Sequence, residues 1–367
     1  MNIKVSKAEC QERLMDVRPV LERKSTMPVL SHCLLQATQE GVLLTATDLE
    51  TAIRRPLEAR VEAPGSLCVP ALKLLEIVRE LEEGELELRS EDGQWLRLSA
   101  GRSSFRLACL PAEDYPQWPS LGQTEELSLE APVLEQMLER TVYAAGEADT
   151  RYTLNGILFH VRPSEGLLTL VGTDGHRMAV ASSALKDGLS EERKLIVQRK
   201  AASELRKFLA QAEEVLLQIS KNHVLFKLKE VQFLTRLIEG TYPNYAQVIP
   251  ASNPLVVVAQ REALIRALRR VSALSRERTG GVKLELQEGL LRLETTNPDL
   301  GEAHDELEVH YSGEPLGIGF NARYLLDALG AMQSERVVLR LQDALSPALL
   351  EPEGQEGYLC VVMPMRI

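Results

Sequence analysis

Aromatic side chains make up only 4% of the 367 residues, so aliphatic side chains have to fill the cores. The five cysteines, Cys10, Cys33, Cys68, Cys109 and Cys360, are odd in number, widely scattered and never spaced as CxxC. That pattern argues against a disulfide framework or a thiolate metal site and for reduced structural thiols in a cytoplasmic protein. The opening MNIKVSKAEC has no apolar h-region, so no signal peptide is expected. No apolar run approaches the roughly 20 residues that span a bilayer. HExxH, GxxxxGK[ST], GxGxxG and GxSxG are all missing, and the six histidines show no ligand spacing. No metal, cofactor or catalytic constellation is therefore expected. With a net charge of −11, the chain also lacks the basic excess that usually marks nucleic-acid binding. Only segregation of basic groups to one face would escape that exclusion.

What the chain does have is repetition. LLTATDLETAIRRPL (Leu43–Leu57), LVGTDGHRMAVAS (Leu170–Ser182) and LLRLETTNPDLGEAHDEL (Leu290–Leu307) each read as an apolar strand, a Thr-Asp or Thr-Asn turn and a more polar strand. Thr47, Thr173 and Thr296 are close to evenly spaced. A helix-like segment opens each repeat, with apolar residues at Cys10, Leu14, Val17 and Leu21, at Leu134, Leu138, Val142 and Ala145, and at Leu264, Leu268, Val271 and Leu274. A second strand-helix step follows in CVPALKLLEIVREL, IVQRKAASELRKFL and IGFNARYLLDALGAM. Alternating segments between them carry hairpin tips at Asp92-Gly93, Lys221-Asn222 and Glu288-Gly289. The reading is an α+β fold of three similar domains, 1–122, 127–250 and 253–367, each with two helices on antiparallel sheets.

The repeats divide the polar turn Thr173-Asp174-Gly175-His176-Arg177 into two parts. Thr-Asp recurs, and an Asp or Asn there can cap its own turn, which is architecture. Gly175, His176 and Arg177 are peculiar to the second repeat and are free for function. From the residues alone, a catalytic loop and a structural turn that happens to be polar both stay open. Charge adds one hint: the six helix-like segments together are mildly basic, so the strands and loops hold all of the acidic excess.

The motifs STMPVLSHCLL, LTATDLE, AGRSSFRLACLPAEDYP, RYTLNGILF, TDGHRMAV, EGTYPNYAQVIP, IGFNARYLLDAL and the terminal YLCVVMPMRI run in order along the whole chain. In these the chain resembles the bacterial DNA polymerase III beta subunits, the beta sliding clamps. The resemblance implies three domains of the DNA-clamp type and a head-to-tail homodimer. Two chains would close a six-domain ring round double-stranded DNA, with helices lining the hole and sheets outside. It implies a processivity subunit without catalysis of its own, cytoplasmic and nucleoid-associated, with no cofactor and no membrane partner. DNA would be held by topology and by sequence-independent phosphate attraction.

The resemblance also assigns residues. A peptide pocket would comprise Leu154, Thr173, Gly175, His176, Arg177, Met178, Pro243 and Val248, with Asn321, Tyr324, Val361, Val362, Met363, Pro364 and Met365. It would receive short clamp-binding peptides of the DNA polymerase III alpha subunit, the clamp loader delta subunit, other DNA polymerases and repair proteins. Removing residues 361–367 is expected to abolish peptide binding and spare the ring. Lys24, Lys73, Arg151, Tyr152, Arg199, Lys200, Arg266, Arg269, Arg270 and Arg276 would face DNA. Arg102, Phe105 and Leu107 of one chain would meet Ala273, Leu274, Asp299 and Glu302 of the other.

Overall fold

Helical periodicity in the sequence becomes six helices in the computed structural model, which describes residues 1–21, 26–185, 189–275 and 280–366. Lys24 and Arg276 lie outside the described residues. The helices are α1 (Lys7–Val17), α2 (Ala71–Glu80), α3 (Ala131–Val142), α4 (Arg199–Leu209), α5 (Arg261–Ser272) and α6 (Ala322–Gly330). Helix α1 starts at Ser6, whose hydroxyl accepts the Glu9 amide proton at 3.2 Å. Helix α6 starts at Asn321, whose Oδ1 accepts from the Arg323 amide at 2.9 Å. Both satisfy a backbone donor that a helix end would otherwise leave open. Helix α1 stops short of Leu21 because Pro19 cannot continue the hydrogen-bond ladder, and the chain tightens into a 3-10 turn, Arg18–Val20. Helix α5 shows why the periodicity was legible. Leu264, Ile265, Ala267, Leu268 and Val271 are buried, while Arg266, Arg269 and Arg270 form an exposed stripe.

The chain divides into two compact units, Met1–Pro132 with Lys207–Leu237 and Val133–Arg206 with Ile238–Ile367. The first holds an antiparallel eight-stranded sheet in the order Glu125–Glu130, Glu214–Ile219, His223–Lys227, Gln232–Arg236, Thr51–Leu57, Gly41–Thr47, Cys33–Thr38, Gly65–Val69. Its seam is the pairing of Phe233 with Ile53 and of Thr235 with Thr51, residues far apart in sequence. A five-stranded sheet runs Ala59–Ala63, Asn2–Ser6, Glu85–Glu91, Trp95–Ala100, Ser103–Ala108. Helices α1 and α2 pack together in this unit. Cys10, Cys33, Cys68 and Cys109 are buried and free, and burial pushes the Cys10 thiol up to about 12, which keeps it unreactive.

The second unit repeats the plan. Its eight strands run Arg193–Gln198, Gly156–Arg162, Leu167–Thr173, Arg177–Ala184, Tyr358–Val362, Ala348–Pro352, Arg336–Leu341, Leu255–Gln260. Its four-stranded sheet runs Gly301–Glu308, Leu290–Asn297, Gly281–Gln287, Leu316–Asn321. Helices α5 and α6 pack together. All three hairpin tips are found, between Glu91 and Trp95, Ile219 and His223, and Gln287 and Leu290. Asp92 and Gly93 both take positive φ there, as such tight turns require.

Candidate functional site

The Thr-Asp turns of the first two repeats are built from the same hydrogen bonds. Asp48 Oδ1 accepts from the amides of Glu50 at 3.2 Å and Thr51 at 2.7 Å. Asp174 Oδ1 accepts from those of His176 at 2.9 Å and Arg177 at 3.0 Å. Thr47 Oγ1 takes the Leu49 amide proton and donates to the Thr51 carbonyl, both at 2.9 Å. Thr173 does the same with Gly175 at 3.1 Å and Arg177 at 2.6 Å. The third residue has positive φ in each, 74° at Leu49 and 84° at Gly175. In the third repeat Asn297 Oδ1 accepts from the Asp299 amide at 3.0 Å. Thr-Asp is thus the turn itself, and the second repeat adds Gly, His and Arg to it.

Gly175 meets two demands. Its φ disfavours a side chain, and an added Cβ would lie 2.7 Å from the guanidinium of Arg151. Arg151 donates to the Asp174 carbonyl at 3.1 Å and pairs with Asp149 at 2.7 Å. The bonds from Arg151 hold the Asp149 carboxyl down at about 2. Arg177 is the more deeply set, with its side chain 11% exposed. It reaches Asp174 Oδ2 at 3.1 Å, Asp327 Oδ2 at 2.6 Å and the Tyr143 carbonyl at 2.8 Å, and lies 4.6 Å from the centre of the Tyr324 ring. Burial disfavours its charge, but the bond to Asp327 and the charge of Asp174 outweigh that and raise its pKa.

The C-terminal segment arrives by sheet pairing. Met178 pairs with Val361 and Arg177 with Val362. The ladder continues past the strand, with the Met363 amide donating to the His176 carbonyl and the Met365 amide to the Gly319 carbonyl, both at 2.9 Å. Val361 and Val362 are each 1% exposed. They belong to the sheet and core, so cutting at residue 361 would open the fold as well as the site. A clean truncation starts after Val362.

These elements enclose an apolar cavity of about 180 Å³, lined by Arg151, Leu154, Thr173, Gly175, Arg177, Met178, Tyr242, Pro243, Tyr245, Val248, Val361 and Met363. Its floor is a cluster that includes Leu158, Val171, Val180, Ile196 and Leu349. Of the residues that sequence assigned to a pocket, Leu154, Thr173, Gly175, Arg177, Met178, Pro243, Val248, Val361 and Met363 converge here. His176 and Tyr324 line a neighbouring polar cleft instead, their rings stacked at 6.3 Å, with Arg177 as the wall between the two. Asn321 is occupied as the cap of α6, and Val362, Pro364 and Met365 lie outside the lining. Sequence reasoning passed over Tyr242 and Tyr245. Their signal was two tyrosines flanking Pro-Asn in a chain short of aromatics. Tyr242 donates to the Val171 carbonyl at 3.2 Å, which pins this segment to the sheet.

Arg151, expected to face DNA, sits on the pocket rim. Tyr152 beside it is 77% exposed. Arg199 pairs with Glu147 at 2.8 Å, Lys73 with Glu76, and Arg270 donates to Asp305 at 2.6 Å. Lys200 lines an open cleft with Tyr152 and Arg199. Phe105 and Leu107 lie on Ser103–Ala108, and Glu302 on Gly301–Glu308, each strand the last of its sheet. Arg102 and Asp299 flank these strands, and Ala273 and Leu274 follow α5.

Comparison with known proteins turns this geometry into a family. Profiles of the DNA polymerase III beta subunit match end to end: the N-terminal domain over residues 1–119, the central domain over 128–244 and the C-terminal domain over 246–366. The chain belongs to the DNA polymerase III beta subunit family. The beta sliding clamp of Pseudomonas putida is 38% identical over 100% of both chains, and that of Caulobacter vibrioides 35%. A crystal structure of the Pseudomonas aeruginosa DNA polymerase III subunit beta superposes with a TM-score of 0.94 at 35% identity, covering 100% of both chains. The sliding clamp of Bartonella birtlesii, solved bound to griselimycin, gives 0.96 at 38% identity, again covering 100% of each. The fold is therefore three clamp domains of helices on antiparallel sheets. The role is that of a sliding clamp in DNA replication, a processivity factor and not an enzyme.

Proposed function

We propose that two copies of this chain close head to tail round duplex DNA and tether replication and repair proteins through the apolar pocket. The domains are taken as 1–122, 127–250 and 253–367. The observation that carries the reading is the pocket itself. The TDGHR turn and the VVM segment close one apolar cavity, with a guanidinium at its rim and few polar groups within. Such a site suits a short peptide with two or three apolar anchors and a Gln to hydrogen-bond at the rim. The partners are the polymerase alpha subunit, the clamp loader delta subunit, other polymerases and repair proteins, met in the cytoplasm at the nucleoid. The Bartonella relative was solved bound to griselimycin, and this chain is expected to bind that compound in its own apolar cavity.

For the ring, the support is two open sheet edges. An unpaired edge strand invites pairing, and a head-to-tail joint between Ser103–Ala108 and Gly301–Glu308 satisfies both. Phe105 and Leu107 then meet Ala273 and Leu274, and Arg102 faces Asp299 and Glu302. For DNA, the support is the exposed stripe Arg266, Arg269 and Arg270 on α5, joined by Lys73, Tyr152, Arg199 and Lys200, with Lys24 and Arg276 outside the described residues.

The test is peptide titration against the full chain and against a chain ending at Val362. A synthetic Gln-containing apolar peptide should bind the full chain at about micromolar strength, near −8 kcal/mol. The shortened chain should keep its fold and lose at least about tenfold in affinity. Equal affinity of both would overturn the assignment of this pocket.

A further inference from the structure

The strand Gly156–Arg162, GILFHVR, carries one histidine in an apolar run. His160 is 7% exposed, and both ring nitrogens are engaged. Nε2 lies 2.7 Å from Glu192 Oε1, and Nδ1 lies 2.9 Å from the hydroxyl of Tyr245. The two rings meet edge to face at 5.9 Å. Lys194, the cross-strand neighbour of His160, places its ammonium 3.3 Å from the same glutamate oxygen. Arg162, two residues along the strand, is taken up by Glu165 and Thr169.

The chemistry of these groups fixes the direction of the relay. Hydrogen bonds from His160 and Lys194 hold the Glu192 carboxyl below the ordinary glutamate range, so it is ionised and can only accept. The proton between them therefore sits on Nε2. In the neutral imidazole Nδ1 is then the acceptor, and the Tyr245 hydroxyl donates to it. Tyr245 opens the 3-10 turn Tyr245–Gln247, and with Pro243 and Val248 it walls the apolar pocket. Within that turn the backbone closes on itself among the described residues, Gln247 to Asn244 and Val248 to Tyr245. The hydroxyl of Tyr245 ties the turn to a rigid strand.

We infer that His160 is a positioning residue for the pocket. Oriented by Glu192, it holds Tyr245 and so sets the place of the Tyr245–Val248 wall against which a peptide packs. This rests on the reading of the cavity as a peptide site. A wall held on a strand presents a fixed surface, whereas a wall held by its own turn has to be ordered by the ligand, at a cost in affinity.

Asparagine and glutamine substitutions separate the two ring nitrogens. In His160→Asn the amide oxygen stands where Nδ1 stood and can still accept from Tyr245. In His160→Gln the amide reaches toward Glu192 and leaves the tyrosine. Affinity for the synthetic peptide is measured with the wild type, Tyr245→Phe, His160→Asn, His160→Gln and the double variant Tyr245→Phe/His160→Gln. The structure predicts about a fivefold loss for Tyr245→Phe and for His160→Gln, the worth of one hydrogen bond, no further loss in the double variant, and near wild-type binding for His160→Asn. Thermal unfolding of each variant reports whether its fold is kept. Wild-type affinity in Tyr245→Phe, or equal losses in the asparagine and glutamine variants, would overturn the inference while leaving the pocket in place. A wild type that does not bind the peptide would overturn the pocket reading instead.

Discussion

Arg177 and Asp327 meet at 2.6 Å across 150 residues of sequence, and their contact anchors helix α6 to the TDGHR turn. The arginine is nearly enclosed, so removing its partner leaves a charge that water cannot fully compensate. Asp327→Ala should lower stability by about 2 kcal/mol, the scale of a charge-assisted hydrogen bond at a partly open site. Urea unfolding measures it, with a midpoint at the wild-type value as the contrary result. Arg177→Lys should not rescue function, since one ammonium cannot reach Asp174, Asp327 and the Tyr143 carbonyl together.

The paired turns predict opposite outcomes for opposite substitutions. Gly175→Ala forces a side chain to positive φ, at about 1–2 kcal/mol, and drives Arg151 off the Asp174 carbonyl. Leu49→Gly relieves the same conformation in the first repeat, where the net gain should be up to about 1 kcal/mol after the flexibility of glycine is counted. Thermal melts of both variants test the pair. Equal changes of one sign would mean that the turns are not the same structure.

Repetition alone separates Thr-Asp from Gly-His-Arg, because a backbone cap depends only on residues two and three positions away. The six helices were legible for the same reason: α5 writes its buried face in every third and fourth residue. The seams were not. Nothing local in Phe233 names Ile53 as its neighbour, and nothing in Arg177 names Asp327. The pocket residues come from a family resemblance, and nine of them gather in the apolar lining while His176, Tyr324, Asn321, Val362, Pro364 and Met365 stand outside it. His176 and Tyr324 stack in the adjoining cleft, and Asn321 caps α6. Arg151, which the resemblance turns toward DNA, pairs with Asp149 at the pocket rim.

Behind the pocket wall, Cys360 lies 2.9 Å from the Tyr143 hydroxyl and 3.0 Å from that of Tyr358. Burial raises the Cys360 thiol from the usual 9.0 to about 11 and pushes both tyrosines well above their ordinary range. All three are acids whose neutral form the fold prefers. The contribution of Cys360 is complete below pH 9.0 and is lost as pH rises from 9.0 toward about 11, and that of the two tyrosines begins to be lost only above their ordinary 10.0, because the unfolded chain gives up its protons first. Urea midpoints should therefore fall over that range, and fall less in Cys360→Val. Parallel curves for the two proteins would contradict the account of this network.

The proposed joint between copies predicts that Leu274→Glu yields single chains of 40.8 kDa, because it places an unpaired charge between two apolar surfaces. Sedimentation equilibrium reads the mass directly. A variant that still sediments at twice that mass would place the interface elsewhere.

Retention on closed and opened DNA shows whether the protein holds DNA by enclosing it. Protein loaded on nicked circular DNA should stay bound in salt that abolishes phosphate attraction, whose strength falls by orders of magnitude over such a range. One double-strand cut in the circle should then release it by sliding from the ends. Equal loss from circular and linear DNA in the same salt would contradict the account.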